Sequence, residues 1–320
     1  MSDITVSPAP AGSPPVNPFQ GRRPGRRWIS RAFAGLSILA TLMALAVLFV
    51  VLWYIGGRGI EYMTTAFFTN LPLQTPEGMR NCIIGTVILV MLSSVLGVPL
   101  GMLCGIYLAE YARKGWFTYA ARLVIDLLAG TPTILLGVIA WQLVVVPMHH
   151  QSGWSGALAL AFIMVPIIAR ATEEMLRLVP HAHREASAGL GASHAQTLFR
   201  VILPAAKAGI STGIMLAIAR VAGETAPLLF TALGNDQAVY DPNQPYPSLT
   251  LKIWQYSQSA EASWRHQAWT GVLALVSLVL IFTAAVRFTV REKKIVRFSG
   301  FSSAWRFDPS ATHGRLAKAA

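Results

Sequence analysis

Charged residues are scarce in this sequence. Asp, Glu, Lys and Arg make up 12% of its 320 residues, whereas ordinary soluble domains contain about 25%. Hydrophobic residues make up 54% and the mean hydropathy is +0.51. Several apolar runs exceed the roughly 20 residues that a helix needs to cross a bilayer. The composition therefore excludes a soluble globular protein and predicts an all-α, polytopic membrane protein.

Cysteine is nearly absent, with only Cys82 and Cys104 in the chain. Both fall in one apolar segment, where helical geometry separates them by about 33 Å. That separation is too large for a disulfide bond, so none is predicted. We interpret both side chains as small apolar residues of a membrane helix.

Two kinds of chemical motif are also missing. No glycine-rich loop ends in Lys-Ser or Lys-Thr, so this chain is not expected to bind or hydrolyse ATP. The histidines at 149 and 150, and at 181 and 183, lack the spacing of a metal site, and we interpret them as solvated loop residues. We therefore expect no enzyme activity, no cofactor and no metal in this chain.

The positive charge follows the apolar runs. The net charge of +12 would suit a nucleic-acid-binding protein, but most Lys and Arg flank apolar segments, as the positive-inside rule describes. Six spans with both termini in the cytoplasm place twenty basic residues inside and four outside. This asymmetry predicts a multi-pass membrane protein with both termini in the cytoplasm and no nucleic-acid partner.

Three regions follow from this topology. We predict a disordered cytoplasmic tail at 1–30, a six-helix membrane domain at 31–290 and a cytoplasmic tail at 291–320. The predicted spans cover residues 32–55, 81–109, 123–147, 155–175, 206–233 and 268–286. The first is too long for the 7–15 apolar residues of a signal peptide, so it is expected to be retained. Residues 235–267 are predicted to form a long outer loop.

Two spans carry glycine signals. In the second, Gly97, Gly101 and Gly105 recur every four residues, a small-xxx-small pattern that permits close helix packing. In the third, Gly130-Thr131-Pro132 predicts a break that divides the span into two helices.

A polar, helix-compatible stretch connects the fourth and fifth spans. We name residues 177–205 the docking loop; its residues 185–204 read EASAGLGASHAQTLFRVILP. Gly191 can adopt a positive φ and end a helix, and Pro204 restricts the entry to the next helix. Leu198, Val201, Ile202 and Leu203 predict an apolar patch. A helix, a glycine corner and a second helix would form a knob that docks in a groove of a partner.

Two arginines lie within the apolar spans, each near a glutamate. An arginine at the bilayer centre costs about 2.5–3.5 kcal/mol on insertion scales, so it must face a cavity or a partner. Arg170 and Glu173 are three residues apart, and Arg220 and Glu224 four, so each pair shares a helix face. Arginine matches phosphate and carboxylate groups, which favours an anion translocation pathway. The alternative is that each pair is structural and neutralises itself between packed helices.

The docking loop resembles the EAA loop of ABC importer permeases: Glu-Ala-Ala, three residues, Gly, nine residues, Ile, one residue, Leu-Pro. Ser187 replaces the second Ala, and Val201 replaces Ile. Three further segments are similar to phosphate-importer permeases, and to the PstA type in particular: GTPTILLG at 130–137, RATEEML at 170–176 and RVAGETAPLLFTAL at 220–233.

This resemblance implies the MetI-like architecture of a type I ABC importer permease. The residues that it assigns to ATPase coupling are Glu185, Ala186, Gly191, Leu203 and Pro204. It implies a second, PstC-like permease subunit, two PstB-like subunits that bind ATP and Mg, and a PstS-like periplasmic phosphate-binding protein. Inorganic phosphate would be the cargo, carried across the lipid bilayer of the bacterial inner membrane.

Three alternatives remain at this point. A permease for another oxyanion, such as sulfate or molybdate, would have nearly the same sequence features. An ion-coupled secondary transporter should show paired repeats and no docking loop, and no internal repeat is visible here. A membrane scaffold or sensor without transport activity would be distinguished by purification without ATPase partners.

Overall fold

The computed structural model describes residues 24–289, and 1–23 and 290–320 lie outside it. Most of the predicted N-terminal tail and the whole C-terminal tail therefore fall outside the described residues. The described chain is helical and contains no β-strand, which confirms the all-α prediction. It divides into two compact units after Glu61.

The first unit contains one long helix, α1 (Pro24–Glu61). Its 38 residues correspond to about 57 Å of helix, longer than a hydrocarbon core of about 30 Å. The helix begins before the predicted boundary because the arginine-rich segment ahead of the apolar run is itself compatible with a helix. Phe49 and Trp53, one turn apart, stack with ring centroids 6.0 Å apart.

The second unit contains the other helices. They are α2 (Thr65–Thr69), α3 (Arg80–Ile106), α4 (Trp116–Gly130), α5 (Thr133–Ala140), α6 (Val146–Met148), α7 (Gly153–Arg177), α8 (His181–Gly189), α9 (His194–Thr197), α10 (Leu203–Ala222), α11 (Ala226–Thr231), α12 (Leu249–Ser257) and α13 (Ala262–Thr289). Single π-helical turns cover Tyr107–Tyr111, Trp141–Val145 and Leu198–Ile202.

Six membrane spans are compatible with these helices. Five are long and apolar enough to cross alone: Trp28–Glu61, Arg80–Tyr111, Gly153–Arg177, His194–Ala222 and Ala262–Ala285. The sixth is the pair Trp116–Gly130 and Thr133–Met148, which is bent by 111°. Thr131 and Pro132 separate the two parts, so the predicted break in the third span is confirmed.

The fifth span is broken as well, and the prediction of one continuous helix over 206–233 is wrong. Helix α10 ends at Ala222, and α11 starts at Ala226. The reason is steric: in a continuous helix the ring of Pro227 would clash with the carbonyl of Gly223, four residues earlier. The predicted outer loop, residues 235–267, is not irregular throughout. It contains helix α12, whose Leu249, Leu251 and Tyr256 are buried.

Helix α7 lies at the centre of the second unit, with two thirds of its apolar window buried. Helix α3 packs along it through the glycine series that the sequence predicted. A Cβ atom on Gly105 would lie 2.6 Å from the carbonyl oxygen of Ala169, and one on Gly101 would lie 2.8 Å from Cβ of Ile168. Helix α10 also packs closely against α7, where Gly213 lies against Ala171.

Helices α5 and α11, which follow the breaks in the third and fifth spans, also touch. A Cβ atom on Gly137 of α5 would lie 2.5 Å from Cα of Pro227 in α11. The second halves of the two broken spans are therefore in direct backbone contact.

Candidate functional site

The docking loop folds as two short helices around a glycine corner, as predicted. Helix α8 ends at Gly189, and Gly191 has a φ of +78°. The second arm starts with a capping box, in which Ser193 and Gln196 each bind the other's backbone N–H. The hydroxyls of Ser187 and Thr197 lie 2.8 Å apart and join the two arms on the buried side.

The outward face of the loop differs from the predicted apolar patch. Leu198 and Ile202 are buried, since they pack on the ends of α7 and α10 with Leu176 and Ile210. The apolar side chains that point outward are Leu190, 88% exposed, and Phe199, 64% exposed. Positions 198 and 202 are four residues apart and share the inner face, which leaves 199 on the outer one.

The predicted coupling residues take different positions on this loop. Glu185, Ala186 and Gly191 are exposed beside Leu190, and Pro204 is exposed at the start of α10. Leu203 is half-buried. The exposed residues of this set, together with Leu190 and Phe199, are accessible to a partner protein.

The predicted ion pair between Arg170 and Glu173 does not form, and this part of the hypothesis is corrected. Arg170 pairs with Asp126 of α4 instead. Glu173 is held by Arg122 of α4, at 2.6 Å, and by Arg177, at 2.7 Å. Each partner is bound by a charge from α4, and Glu173 also by the i+4 arginine of its own helix, whereas an i,i+3 pair contributes only about 0.2–0.5 kcal/mol.

These charges line a cavity of about 280 Å³ at the docking-loop end of α7. The side chain of Glu173 is 10% exposed, while that of Arg170 is 50% exposed. The sequence reasoning missed Arg122 and Arg177 as site residues. One signal was available, because Arg122 and Asp126 are four residues apart and share one face of an amphipathic helix.

The second predicted pair is present. Arg220 Nε lies 3.6 Å from Glu224 Oε1, with the arginine side chain 55% exposed and the glutamate 17%. Arg220 stands in the last turn of α10 and Glu224 lies in the break that follows. The carbonyl of Glu224 accepts a hydrogen bond from the Thr250 hydroxyl at 3.0 Å. A cation suits this position because it faces the negative end of the helix dipole.

Arg170 and Arg220 lie at different distances from the docking loop. Gly213 of α10 crosses α7 at Ala171, next to Arg170. Arg220 lies seven residues further along α10, about 10 Å farther from the docking loop. No ion pair connects the two groups of charges among residues 24–289. The structure therefore places two separate arginine sites along one direction.

The opposite end of the unit contains a polar cavity that the sequence reasoning did not find. It has a volume of about 440 Å³ and is lined in part by Lys252, Asp236 and Gln255. Lys252 is 8% exposed, and its Nζ lies 2.5 Å from Asp236. Nearby, burial raises the pKa of the Tyr256 hydroxyl, and the carboxylates of Glu77 and Asp236 raise it further. Throughout the described range, no three potential metal ligands come together.

Comparison with known proteins identifies relatives that match most of this chain. Residues 97–294 match the family described as binding-protein-dependent transport system inner membrane component. The phosphate transport system permease protein PstA of Yersinia pestis is 40% identical over 272 residues, covering 84% of this chain and 92% of that protein. The probable phosphate transport system permease protein PstA of Methanocaldococcus jannaschii is 35% identical, covering 79% and 90%.

Solved structures agree on the fold. A bacterial ABC transporter involved in the import of the acidic polysaccharide alginate superposes with a TM-score of 0.61 at 12% identity, covering 84% of this chain and 99% of that one. The MetNI methionine ABC transporter in an inward-facing conformation gives 0.53 at 21% identity, covering 72% and 98%. The predicted MetI-like permease architecture is thereby confirmed.

Proposed function

The chain belongs to the PstA family of phosphate transport system permease proteins, and we propose that it is the membrane subunit of an ATP-driven phosphate importer. It would form half of a translocation pathway in the bacterial inner membrane, with both termini in the cytoplasm. The observation that carries this proposal is the continuity between an exposed docking loop and the two helices, α7 and α10, that bear the arginines.

The arginines would bind the anion in turn. Arg220 is held by its glutamate at 3.6 Å, which is longer than a charge-assisted hydrogen bond. A phosphate oxygen that offers a shorter contact would therefore displace Glu224, and the carboxylate would take the guanidinium back after the anion leaves. At Arg170, which is paired with Asp126, the guanidinium is half-exposed and has five N–H donors, so the anion would bind beside the carboxylate.

The docking loop would couple these sites to ATP. We propose that two separate ATP-binding subunits supply hydrolysis, with Mg, and contact Glu185, Ala186 and Gly191 together with Leu190 and Phe199. Since the loop joins α7 to α10, its displacement moves the helices that carry Arg170 and Arg220. Alternating access needs two such global states, each favoured by a different set of bound partners.

Three further partners complete the proposal. A second homologous permease subunit would supply the other half of the pathway, and a periplasmic phosphate-binding protein would deliver the anion. The bilayer would surround the apolar faces, such as that of α3, where Val95 and Leu103 are exposed. No nucleic acid is involved, and this subunit itself would perform no catalysis.

Reconstitution tests the proposal. The chain is placed in proteoliposomes with its second permease and ATP-binding subunits, and ATP-dependent uptake of radiolabelled phosphate is measured with the loaded binding protein outside. Uptake that unlabelled phosphate suppresses, and that equal sulfate or molybdate does not, is expected. Preferential suppression by sulfate or molybdate would instead assign the permease to that oxyanion.

A further inference from the structure

The turn that follows α3 holds a buried carboxylate that neither the sequence nor the proposed transport path accounts for. Glu110 lies in the π-helical turn Tyr107–Tyr111, and its side chain is 7% exposed. Arg184 of the docking loop donates to it through both ends of its fork, at 2.6 Å to Oε1 and 3.5 Å to Oε2. The contact at 2.6 Å is a short charge-assisted hydrogen bond to a buried carboxylate, and the contact at 3.5 Å is a longer, weaker one.

Arg184 binds the end of α7 at the same time. Its guanidinium donates to the carbonyl of Leu176 at 3.0 Å and to that of Val179 at 2.8 Å. The Leu176 carbonyl lies in the last turn of α7 and also accepts the N–H of Val179 at 3.3 Å, so the arginine adds a second hydrogen bond there. One side chain of α8 thus fixes the ends of both α3 and α7.

Glu110 also faces the second arm of the loop. Nε2 of His194 lies 3.9 Å from Oε2 of Glu110, and the His194 ring meets the Tyr111 ring edge-on at 5.0 Å. Arg184 and His194 stand on opposite sides of the corner at Gly191. The carboxylate is therefore the point where α3 meets both arms of the docking loop.

Besides a hydrogen bond at 3.4 Å from Arg177 to the carbonyl of Leu108, apolar contacts join the end of α3 to the loop. Ile106 and Ala109 pack on the cluster that contains Leu198 and Ile202. Apolar contacts are non-directional, so by themselves they do not fix the orientation of the loop on α3. The contact between Arg184 and Glu110 fixes direction as well as distance, because the same planar guanidinium also donates to two backbone carbonyls at the end of α7.

We propose that the Glu110–Arg184 pair is the rigid joint through which displacement of the docking loop is transmitted to α3 and α7. Glu110 is accordingly a positioning residue of the transport cycle. It touches neither the outward-facing surface of Glu185, Leu190 and Phe199 nor the cavity that contains Arg170. This inference rests on the proposed function, because a joint needs a driven loop.

The test measures the ratio of phosphate transported to ATP hydrolysed in the complete reconstituted transporter. Glu110→Gln keeps the shape of the side chain and removes its charge. We expect the complex to assemble with its ATP-binding subunits, to hydrolyse ATP, and to transport about tenfold less phosphate for each ATP. A residue that only stabilised the fold would lower both activities together and leave the ratio unchanged.

A matched control is Glu61→Gln, which neutralises one partner of the exposed pair Arg58–Glu61 at 3.4 Å and should leave the ratio at its wild-type value. If Glu110→Gln assembles poorly, Arg184→Met removes the same contact from the other side while keeping the length of the chain. If either variant assembles and shows the wild-type ratio of phosphate transported to ATP hydrolysed, the proposed joint is wrong. The proposed function fails differently, because the wild-type chain would then show no ATP-dependent phosphate uptake.

Discussion

Arg170 of α7 is paired with Asp126 of α4, and not with Glu173 one turn further along its own helix. This pair spans 44 positions of sequence and joins the third span to the fourth. Both side chains are about half-exposed, so an anion could reach the guanidinium without unfolding either helix. Glu173, in contrast, is already occupied by two arginines.

Replacing Arg170 should therefore impair transport directly. Arg170→Gln is expected to reduce phosphate uptake by about tenfold to hundredfold, since charge-assisted hydrogen bonds contribute about 1.5–3 kcal/mol. Glu174→Gln is the matched control, because Glu174 lines the same cavity in an exposed position without an ion pair in the described chain. Equal uptake by the two variants would remove Arg170 from the pathway.

Substitutions of Arg220 distinguish a role in transport from a purely structural role. Arg220→Gln should abolish uptake while expression and assembly stay normal, and Arg220→Lys should be impaired because an ammonium does not replace a planar fork. Lys207→Gln, an exposed cation on the same helix, is the control. If the pair is only structural, replacing Arg220 and Glu224 together with leucine should restore uptake, because packing then substitutes for a neutral pair.

The outward side chains of the docking loop should determine binding of the ATP-binding subunits. Leu190→Asp or Phe199→Asp is expected to weaken co-purification of those subunits by about thirtyfold, a loss typical of a central apolar anchor of about 2 kcal/mol. Leu73→Asp is the control, since Leu73 is 72% exposed but lies outside the loop. Full retention of the subunits by both loop variants would place their contact elsewhere.

The glycine corner can be tested through its backbone alone. A Cβ atom would meet nothing within 4 Å at either Gly189 or Gly191, but only Gly191 has a positive φ. Gly191→Ala should therefore strain the corner by about 1–2 kcal/mol and weaken subunit binding about fivefold to thirtyfold. Gly189→Ala, inside α8, should bind normally. Identical binding constants for the two variants would show that the corner conformation is unimportant.

The direction of insertion can be read from two exposed positions. In a chain whose two native cysteines are replaced, Gln244→Cys should react with an impermeant thiol reagent applied to cells with a permeabilised outer membrane. Ser193→Cys should react only after the inner membrane is opened. Both side chains are exposed, so the difference reports their side of the membrane and not their burial. The reverse pattern would invert the topology.

Features set by neighbouring residues could be predicted from the sequence. The glycine series of α3, the break at Thr131 and Pro132, and the corner at Gly191 depend on local sterics and chain geometry. The break before α11 was also readable, since Gly223 and Pro227 are four residues apart. It was missed because the apolar pattern continues through it.

Partners across helices could not be predicted in the same way. Glu110 and Arg184 are separated by 74 positions, and their contact depends on how the ends of α3 and α7 meet. The pairing of Arg170 with Asp126 could not be predicted either. A sequence shows which charges share a helix face, but it does not show which helix packs against that face. Burial of Leu198 and exposure of Phe199 likewise follow from the packing of the docking loop.

The backbone contact between Gly137 and Pro227 can form only late in synthesis. Roughly 90 residues separate the two positions, and a ribosome adds about 5–20 residues per second. The second half of the third span therefore waits about 5–18 s for the helix that covers it. Until then no α11 covers Gly137, so the packing beside the Thr131–Pro132 kink is incomplete.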